Sequence, residues 1–386
     1  MDFSVTPEQR RLVGETRSFA DRLEELSDAR DEGVFNKAAW ETCAAHGVLG
    51  WLTPTDHGGA GHDPVSVALM LEALGLGCSD SGLLFAVNNH LFSCTTYVID
   101  HGSAQQRAEW LPRLAKGTAI GAHALTETEA GSDILALTTR ARREDDHFVL
   151  DGRKTYISNA PIADLFVVFA RTDGEAGASD GISAFLVPED QPGLSVRPLA
   201  KMGLGGTPMG EVTFSGCVLP GSALLGPLGK AYQIFQTGLV WERGFMFATQ
   251  VGALRRLLDQ TVSHCNRRRQ FGRPIAANQA VSHRIADAQL HAELARLLLY
   301  KLAWRVKEEH VPIKEACMLK LLVSEALKSA SLDLLQFQGA AGFLAGSAAE
   351  RQVRDSLATS IYAGTSEIQR SAIAAMSGLV LDGTLS

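Results

Sequence analysis

Phe148-Val149-Leu150-Asp151-Gly152-Arg153-Lys154-Thr155-Tyr156-Ile157 is the stretch on which the reading of the fold turns. Two short runs of β-branched and aromatic residues flank an Asp-Gly pair, and Asp-Gly between such runs is a strong hairpin signature. Working outward, similar runs recur at residues 165–169, 182–187, 194–197 and 211–214, separated by turn formers and without helical gaps. Strands this short and this closely spaced predict a small antiparallel barrel or sandwich over residues 121–225.

The period changes on both sides. Upstream, Thr6-Pro7-Glu8-Gln9 supplies an N-cap, a proline at the first helical position and an acidic first turn. Helical spacing returns at residues 37–43 and 65–76, and the turn-rich stretch between them, residues 53–61, reads as a structural loop. Downstream, Leu319, Leu322, Val323, Ala326, Ala330 and Leu334 form one helical stripe, and Leu290, Leu294, Leu297, Leu298 and Leu302 another. Such stripes predict buried faces of an antiparallel bundle. The expected fold class is α+β: an all-α N-terminal domain (1–120), a small antiparallel β-domain (121–225) and a C-terminal helical bundle (226–386).

The 386 residues are 46% hydrophobic and 20% charged, as in an ordinary globular protein. A net charge of -7 argues against nucleic acid as the main partner. Six scattered cysteines form no CxxC pair and no metal-ligand spacing, which predicts reduced thiols in a cytoplasmic protein and no metal. The start, Met1-Asp2-Phe3-Ser4, is acidic with no apolar run behind it, so no signal peptide is expected. No apolar stretch has the length to span a bilayer, so no membrane partner is expected.

Four stretches are suited to chemistry. Val240-Trp241-Glu242-Arg243-Gly244-Phe245 sets a carboxylate beside a guanidinium in apolar surroundings. Desolvation raises the pKa of such a glutamate and makes it a proton acceptor near neutrality; the alternative is a Glu–Arg pair closing a helix–helix contact. Leu125-Thr126-Glu127-Thr128-Glu129-Ala130-Gly131-Ser132-Asp133 offers hydroxyls and backbone amides to a polar ring edge or a thioester tail, or is an acidic surface turn. Arg267-Arg268-Arg269-Gln270-Phe271-Gly272-Arg273-Pro274 suits a phosphate and an aromatic ring, or is a solvated helix end. In Ile361-Tyr362-Ala363-Gly364-Thr365-Ser366-Glu367-Ile368, Thr365 or Ser366 caps a helix whose first amides face an anion or an electron-rich ring.

Together with Tyr156-Ile157-Ser158-Asn159, Asn278-Gln279-Ala280 and Arg354-Asp355, these stretches resemble the acyl-CoA dehydrogenase family over essentially the whole chain. The resemblance implies FAD between the β-domain and the bundle, and a homotetramer. It places Leu125, Thr126, Ser132, Tyr156 and Ser158 around the flavin, with Thr365 and Glu367 completing the site. It places Arg268, Phe271, Gln279 and Gln336 near the FAD phosphates or adenine, partly across a subunit interface. Arg243, Tyr362 and Gly364 fall on the substrate side. The implied reaction is α,β-dehydrogenation of an acyl thioester, with electrons passing on to an electron-transfer flavoprotein or oxygen.

Many members carry the base as Tyr-Glu-Gly-Thr, where this chain has Tyr362-Ala363-Gly364-Thr365. A minority carry it on the bundle helix immediately before an arginine, and Glu242-Arg243 stands there. Two further departures are Gly339-Ala340-Ala341-Gly342-Phe343, for a Gly-Gly-x-Gly-Tyr turn, and Val240, for a common aspartate. Residues 75–82, 158–164 and 241–243 are similar to a branch that oxidises aminoacyl groups, notably prolyl, on a carrier protein. The expectation is therefore a FAD enzyme with Glu242 as base and a lean to a carrier-bound substrate. The alternatives are an ordinary short-chain or branched-chain acyl-CoA dehydrogenase and a catalytically silent flavin-binding scaffold.

Overall fold

The computed structural model describes residues 4–28, 33–174 and 177–379. Residues 1–3, which carry most of the acidic start, lie outside the described residues, as do residues 380–386. Six helices come first: α1 (Pro7–Asp28), α2 (Lys37–Ala45), α3 (Pro64–Gly77), α4 (Ser81–His90), α5 (Thr96–His101) and α6 (Ala104–Ala115). The Thr6 cap forms as the sequence implies. Gln9 N–H donates to Thr6 Oγ1 (3.1 Å) and Thr6 N–H donates to Gln9 Oε1 (3.0 Å), satisfying two amides at once. The 53–61 loop is structural, pinned by Ala60 N–H to Gly50 O and Gly61 N–H to Thr53 O, both 2.9 Å. One π-helical turn, Leu91–Thr95, joins α4 to α5, a widening often found near functional sites.

Eight strands follow: β1 (Gly121–Ala124), β2 (Arg140–Glu144), β3 (His147–Ser158), β4 (Leu165–Arg171), β5 (Ile182–Pro188), β6 (Leu194–Leu199), β7 (Met209–Pro220) and β8 (Leu224–Leu225). Their order is β6-β7-β3-β2-β4-β5-β8, with β1 beside β4. The expected β-domain is present with two amendments: the path does not close among the described residues, and β1 and β2 meet β4 in parallel. Every residue of β4 is buried, because Leu165, Val167 and Phe169 enter one core and Phe166, Val168 and Ala170 the other. A strand covered on both faces reads as a continuous apolar run, as it does here.

Asp151-Gly152 is not the hairpin turn. That turn is Asp145-Asp146, between the paired residues Glu144 and His147, and β3 runs on through Asp151-Gly152 to Ser158. The register with β7 shifts at Leu150/Gly152, so the pair marks a bulge. Gly152 has φ +147°, and a Cβ there would lie 2.6 Å from Thr139 Oγ1. Backbone freedom and close approach both call for glycine, whichever element contains it.

The bundle comprises α7 (Ala231–Arg243), α8 (Ala248–Arg267), α9 (Gln279–Lys307), α10 (Ile313–Gln338), α11 (Ala348–Ala358) and α12 (Ser366–Ala375). Leu319, Val323, Ala326, Ala330 and Leu334 of α10 are buried, as their spacing implies. The α9 stripe splits. Leu302 is buried, whereas Leu290, Leu294 and Leu297 are 58%, 44% and 42% exposed, because α3, α8 and α10 cover the other side of α9. All six cysteines are buried and free. Among the described residues, none form a cluster able to hold a metal, and no helix is long and apolar enough to cross a membrane.

Candidate active site

A cavity of about 910 Å³ lies where α4, the loop after β1, the end of β3, α7 and the segment leading into α12 converge. Its wall brings together Glu242, Arg243, Leu125, Thr126, Ser132, Tyr156, Ser158, Tyr362, Gly364 and Thr365, ten residues that the sequence had pointed to separately. Tyr156, Leu204 and Ala363 on this wall are non-glycine residues with φ of +59°, +54° and +54°. Such backbone costs of order 1 kcal/mol or more per residue and clusters where surrounding structure holds a functional geometry.

Glu242 ends α7. Its side chain is only 8% exposed, and buried Leu239 and Met246 share the cavity wall with it. Burial pushes its carboxyl up to about 7, against the opposing pull of the Tyr97 hydrogen bond and the Arg243 charge. The negative end of the α7 dipole acts in the same direction as burial. Tyr97 Oη donates to Glu242 Oε1 at 2.9 Å. It can approach because residue 238, one turn earlier on α7, is glycine: a Cβ there would lie 2.2 Å from Tyr97 Oη. His123 Nδ1 lies 3.5 Å from the same oxygen. Burial, then the Lys154 charge, lowers the imidazole to about 3, so this contact joins a carboxylate to a neutral ring. Oε2 has no hydrogen-bond partner among the described residues, which leaves it to accept a proton.

Arg243 supports the site from behind. Its Nε donates to Ala363 O (3.1 Å) and its Nη1 lies 3.3 Å from Cys317 Sγ, while Gln369 Nε2 donates to Ala363 O and Gly364 O. The turn at 362–364 is thus held in the left-handed conformation that Ala363 would not otherwise choose. Tyr362 packs its ring on Phe85 and Phe247, and burial raises its phenol. Thr365 caps α12 through Ile368 N–H (3.3 Å).

The loop after β1 is fixed by an ion pair inside the protein. Lys154 Nζ, fully buried, donates to Glu127 Oε1 (2.7 Å) and Leu125 O (2.9 Å). Glu127 also accepts from Thr138 N–H, Thr138 Oγ1 and Thr139 N–H, and its carboxyl is held near 2. Asn89 Nδ2 donates to Ser158 O (3.3 Å), tying α4 to the end of β3. The sequence reading missed Tyr97, His123, Asn89 and Lys154. The only local signal was a histidine, His123, isolated in an apolar run.

The wall suits a large flat ring with polar edges. The Thr126 and Ser158 hydroxyls have no partner among the described residues, and Tyr156 presents a 58% exposed ring. The volume lies towards the upper end for ligand pockets, leaving room for a flavin and an acyl group. Five expected cofactor residues are not on this wall: Arg268, Phe271, Gln279, Gln336 and Glu367. Phe271 stands fully exposed with φ +49° at the tip of a two-residue ribbon that follows α8, and Arg268, Gln279 and Gln336 are exposed as well.

Models of the acyl-CoA dehydrogenase N-terminal, middle and C-terminal domains match residues 6–118, 122–217 and 231–377. An L-prolyl-[peptidyl-carrier protein] dehydrogenase of Pseudomonas fluorescens is 42% identical over 342 residues, 88% of this chain and 90% of that one. The crystal structure of the prolyl acyl carrier protein oxidase AnaB superposes with a TM-score of 0.93 at 35% identity, over 97% of this chain and 100% of that one. The FAD complex of PigA gives 0.94 at 33% identity, over 98% and 100%. With three consecutive domain models matched and a relative 42% identical over 88% of its length, the chain belongs to the acyl-CoA dehydrogenase family and is an oxidoreductase.

Proposed function

We propose that the chain carries out FAD-dependent α,β-dehydrogenation of an aminoacyl thioester, prolyl above all, held on a carrier protein. The observation that carries this reading is Glu242: a buried carboxylate, raised to about 7, on the wall of a cavity large enough for cofactor and acyl group. Identity of 42% to a prolyl-carrier dehydrogenase supports a carrier-bound substrate over a CoA one.

A base with a pKa near 7 is about half ionised at neutral pH and remains strong enough to take a proton from carbon. Tyr97 holds Oε1 and so aims Oε2, which takes the α proton. Buried Leu239 and Met246, which line the cavity together with Glu242, limit the water that competes for the carboxylate. FAD, when bound, supplies the acceptor for the β hydrogen as hydride. Thr126, Ser132, Ser158 and Thr365 hold its polar edges, with Leu125 and Tyr156 against the ring. Arg243 orients the 362–364 turn, where Tyr362 and Gly364 bound the substrate side.

Arg268, Phe271, Gln279 and Gln336 serve the FAD phosphates or adenine, partly across a subunit interface of a homotetramer, and Glu367, beside Thr365 in the first turn of α12, completes the flavin site. The exposed apolar stripe of α9 supports such association, since contiguous apolar surface favours burial against a partner. Electrons leave to an electron-transfer flavoprotein or to oxygen. The six reduced, buried thiols support a cytoplasmic setting. The test is steady-state turnover of FAD-loaded enzyme on prolyl-carrier protein and on a series of acyl-CoAs. The carrier substrate should turn over well and free acyl-CoAs poorly; efficient oxidation of simple acyl-CoAs with no response to prolyl carrier overturns the reading.

A further inference from the structure

The cavity has an open rim, where Thr128, Ser132 and Gln236 are exposed, and a closed end, where Glu242 is buried with Leu239 and Met246. One wall of the closed end is the face that α4 and α5 share across the π-helical turn Leu91–Thr95. Phe85, Asn89 and Ser93, spaced four apart, line this wall, and Tyr97, four residues further on, reaches Glu242. Ser93 is only 2% exposed, and the surface it keeps faces the cavity. Its neighbours turn elsewhere. Phe92 packs on Trp241 and Phe245, with ring centres 6.2 and 6.0 Å away, and Cys94 lies against Gly121, where a Cβ would meet its Sγ at 2.4 Å.

The Ser93 hydroxyl differs from the others in this turn. A helical serine or threonine commonly returns its hydroxyl to a carbonyl one turn back. Thr95 does so to His90 O and Thr96 to Phe92 O, both at 3.0 Å. Ser93 Oγ makes no such bond and has no partner among the described residues. Asn89 repeats the pattern: Nδ2 is used on Ser158 O (3.3 Å), and Oδ1 has no partner among the described residues. Neither atom is sealed inside the protein, in contrast to Asn88 Oδ1 and His123 Nε2, which are. Free acceptors beside Phe85, Leu239 and Met246 are unfavourable until a ligand group pairs with them.

The order along this face decides what lies opposite Ser93. Tyr97, four residues on, holds the base, and Asn89, four residues back, holds the end of β3 on the wall assigned above to the flavin. At about 1.5 Å rise per residue each is roughly 6 Å away along the axis. Ser93 therefore stands beside the space between base and flavin, where the α carbon must lie. We propose that Ser93 is a specificity-determining residue whose hydroxyl accepts a hydrogen bond from the amine of the aminoacyl group, with Asn89 Oδ1 as a second acceptor. The inference rests on the aminoacyl reading above and names the residue that enforces it. In an aminoacyl thioester the carbon that gives up its proton to Glu242 also carries the amine, which is protonated near neutrality and has N–H to donate. A carbocyclic thioester of the same shape puts a methylene there and leaves Ser93 Oγ unpaired, the situation in which a polar site rejects an apolar analogue.

The experiment compares FAD-loaded wild type with Ser93→Ala, which removes the hydroxyl, and with Ser93→Cys, which keeps the size but offers only a weak acceptor. Each is given prolyl and cyclopentanecarbonyl thioesters on the same carrier protein, and kcat/KM is read for both. Wild type should prefer prolyl. Both variants should lose on the order of 10- to 100-fold on prolyl, the range for a hydrogen bond to a charged group, mainly through KM. On cyclopentanecarbonyl they should match or exceed wild type. Equal losses on both substrates would assign the hydroxyl to the thioester common to them and overturn the inference, as would no loss on either. If one variant fails to hold FAD, the ratio in the other decides, and loss of FAD in both marks Ser93 as structural and overturns the inference. A wild type that oxidises cyclopentanecarbonyl better than prolyl, or neither, overturns the aminoacyl reading itself, and this inference with it.

Discussion

Replacing Tyr97 by Phe removes one hydroxyl and leaves the ring that packs between His123 and Phe169. The lost bond, 2.9 Å to Glu242 Oε1 in a buried setting, is a hydrogen bond to a charged acceptor, a class worth about 1.5–3 kcal/mol. Because it favours the ionised carboxylate, its loss moves Glu242 up from about 7. At about 1.4 kcal/mol per factor of ten in acidity, the new value is about 8–9. At pH 7 the ionised fraction falls from about half to roughly 1–10%, so turnover should drop by about 5- to 50-fold and recover on alkaline titration. The assay is the pH profile of kcat/KM, with flavin reduction in single turnover as a second reading. The acid limb should shift upward by one to two pH units, on the order given above. An unmoved limb with uniform loss at every pH would show that Tyr97 only fills space, and a downward shift would contradict the direction of the argument.

Three further outcomes follow from the same contacts. Since the folded pKa of Glu242 is raised, the folded state binds the extra proton and stability falls as pH rises from 4.5 through about 7. Holding the charge above that range costs roughly 3 kcal/mol, so Glu242→Gln should melt higher than wild type at pH 8 and nearly equally at pH 4.5, as calorimetry would read. Lys154→Met strands Glu127 in the interior; breaking a buried pair costs about 3–5 kcal/mol, and the variant should lose both melting temperature and FAD retention. Gly238→Val puts side-chain atoms where Tyr97 Oη sits, so the variant should reproduce the alkaline shift of Tyr97→Phe while keeping its flavin spectrum.

Much of this was legible in the chain. The α, β, α order follows from the change of hydrophobic period, and Glu242 stood out as a carboxylate in an apolar stretch beside an arginine. What periodicity could not supply is partnership across distance. Tyr97 lies 145 residues from the carboxylate it binds, and nothing around it differs from an ordinary core tyrosine. Asp151-Gly152 misled because a turn and a bulge ask for the same positive-φ residue, and only pairing with β7 decides which forms. The α9 stripe misled differently: Leu290, Leu294 and Leu297 have the spacing of a buried face, but among the described residues no other element covers them. Glu127 stands in a stretch that reads equally as an acidic surface turn, and only the packed sheet brings buried Lys154 to it.

The central claim is that Glu242 alone removes the α proton. It is tested most directly by mixing wild type and Glu242→Gln, both loaded with FAD, with carrier-bound prolyl deuterated at the α carbon, and following intact mass together with the flavin spectrum. Wild type should strip the α deuterium and bleach the flavin in one turnover, whereas Glu242→Gln should retain both deuterium and oxidised flavin, with rates down by about 10²–10⁴-fold. Loss of the α deuterium at near wild-type rate in Glu242→Gln would place the base elsewhere and contradict the account.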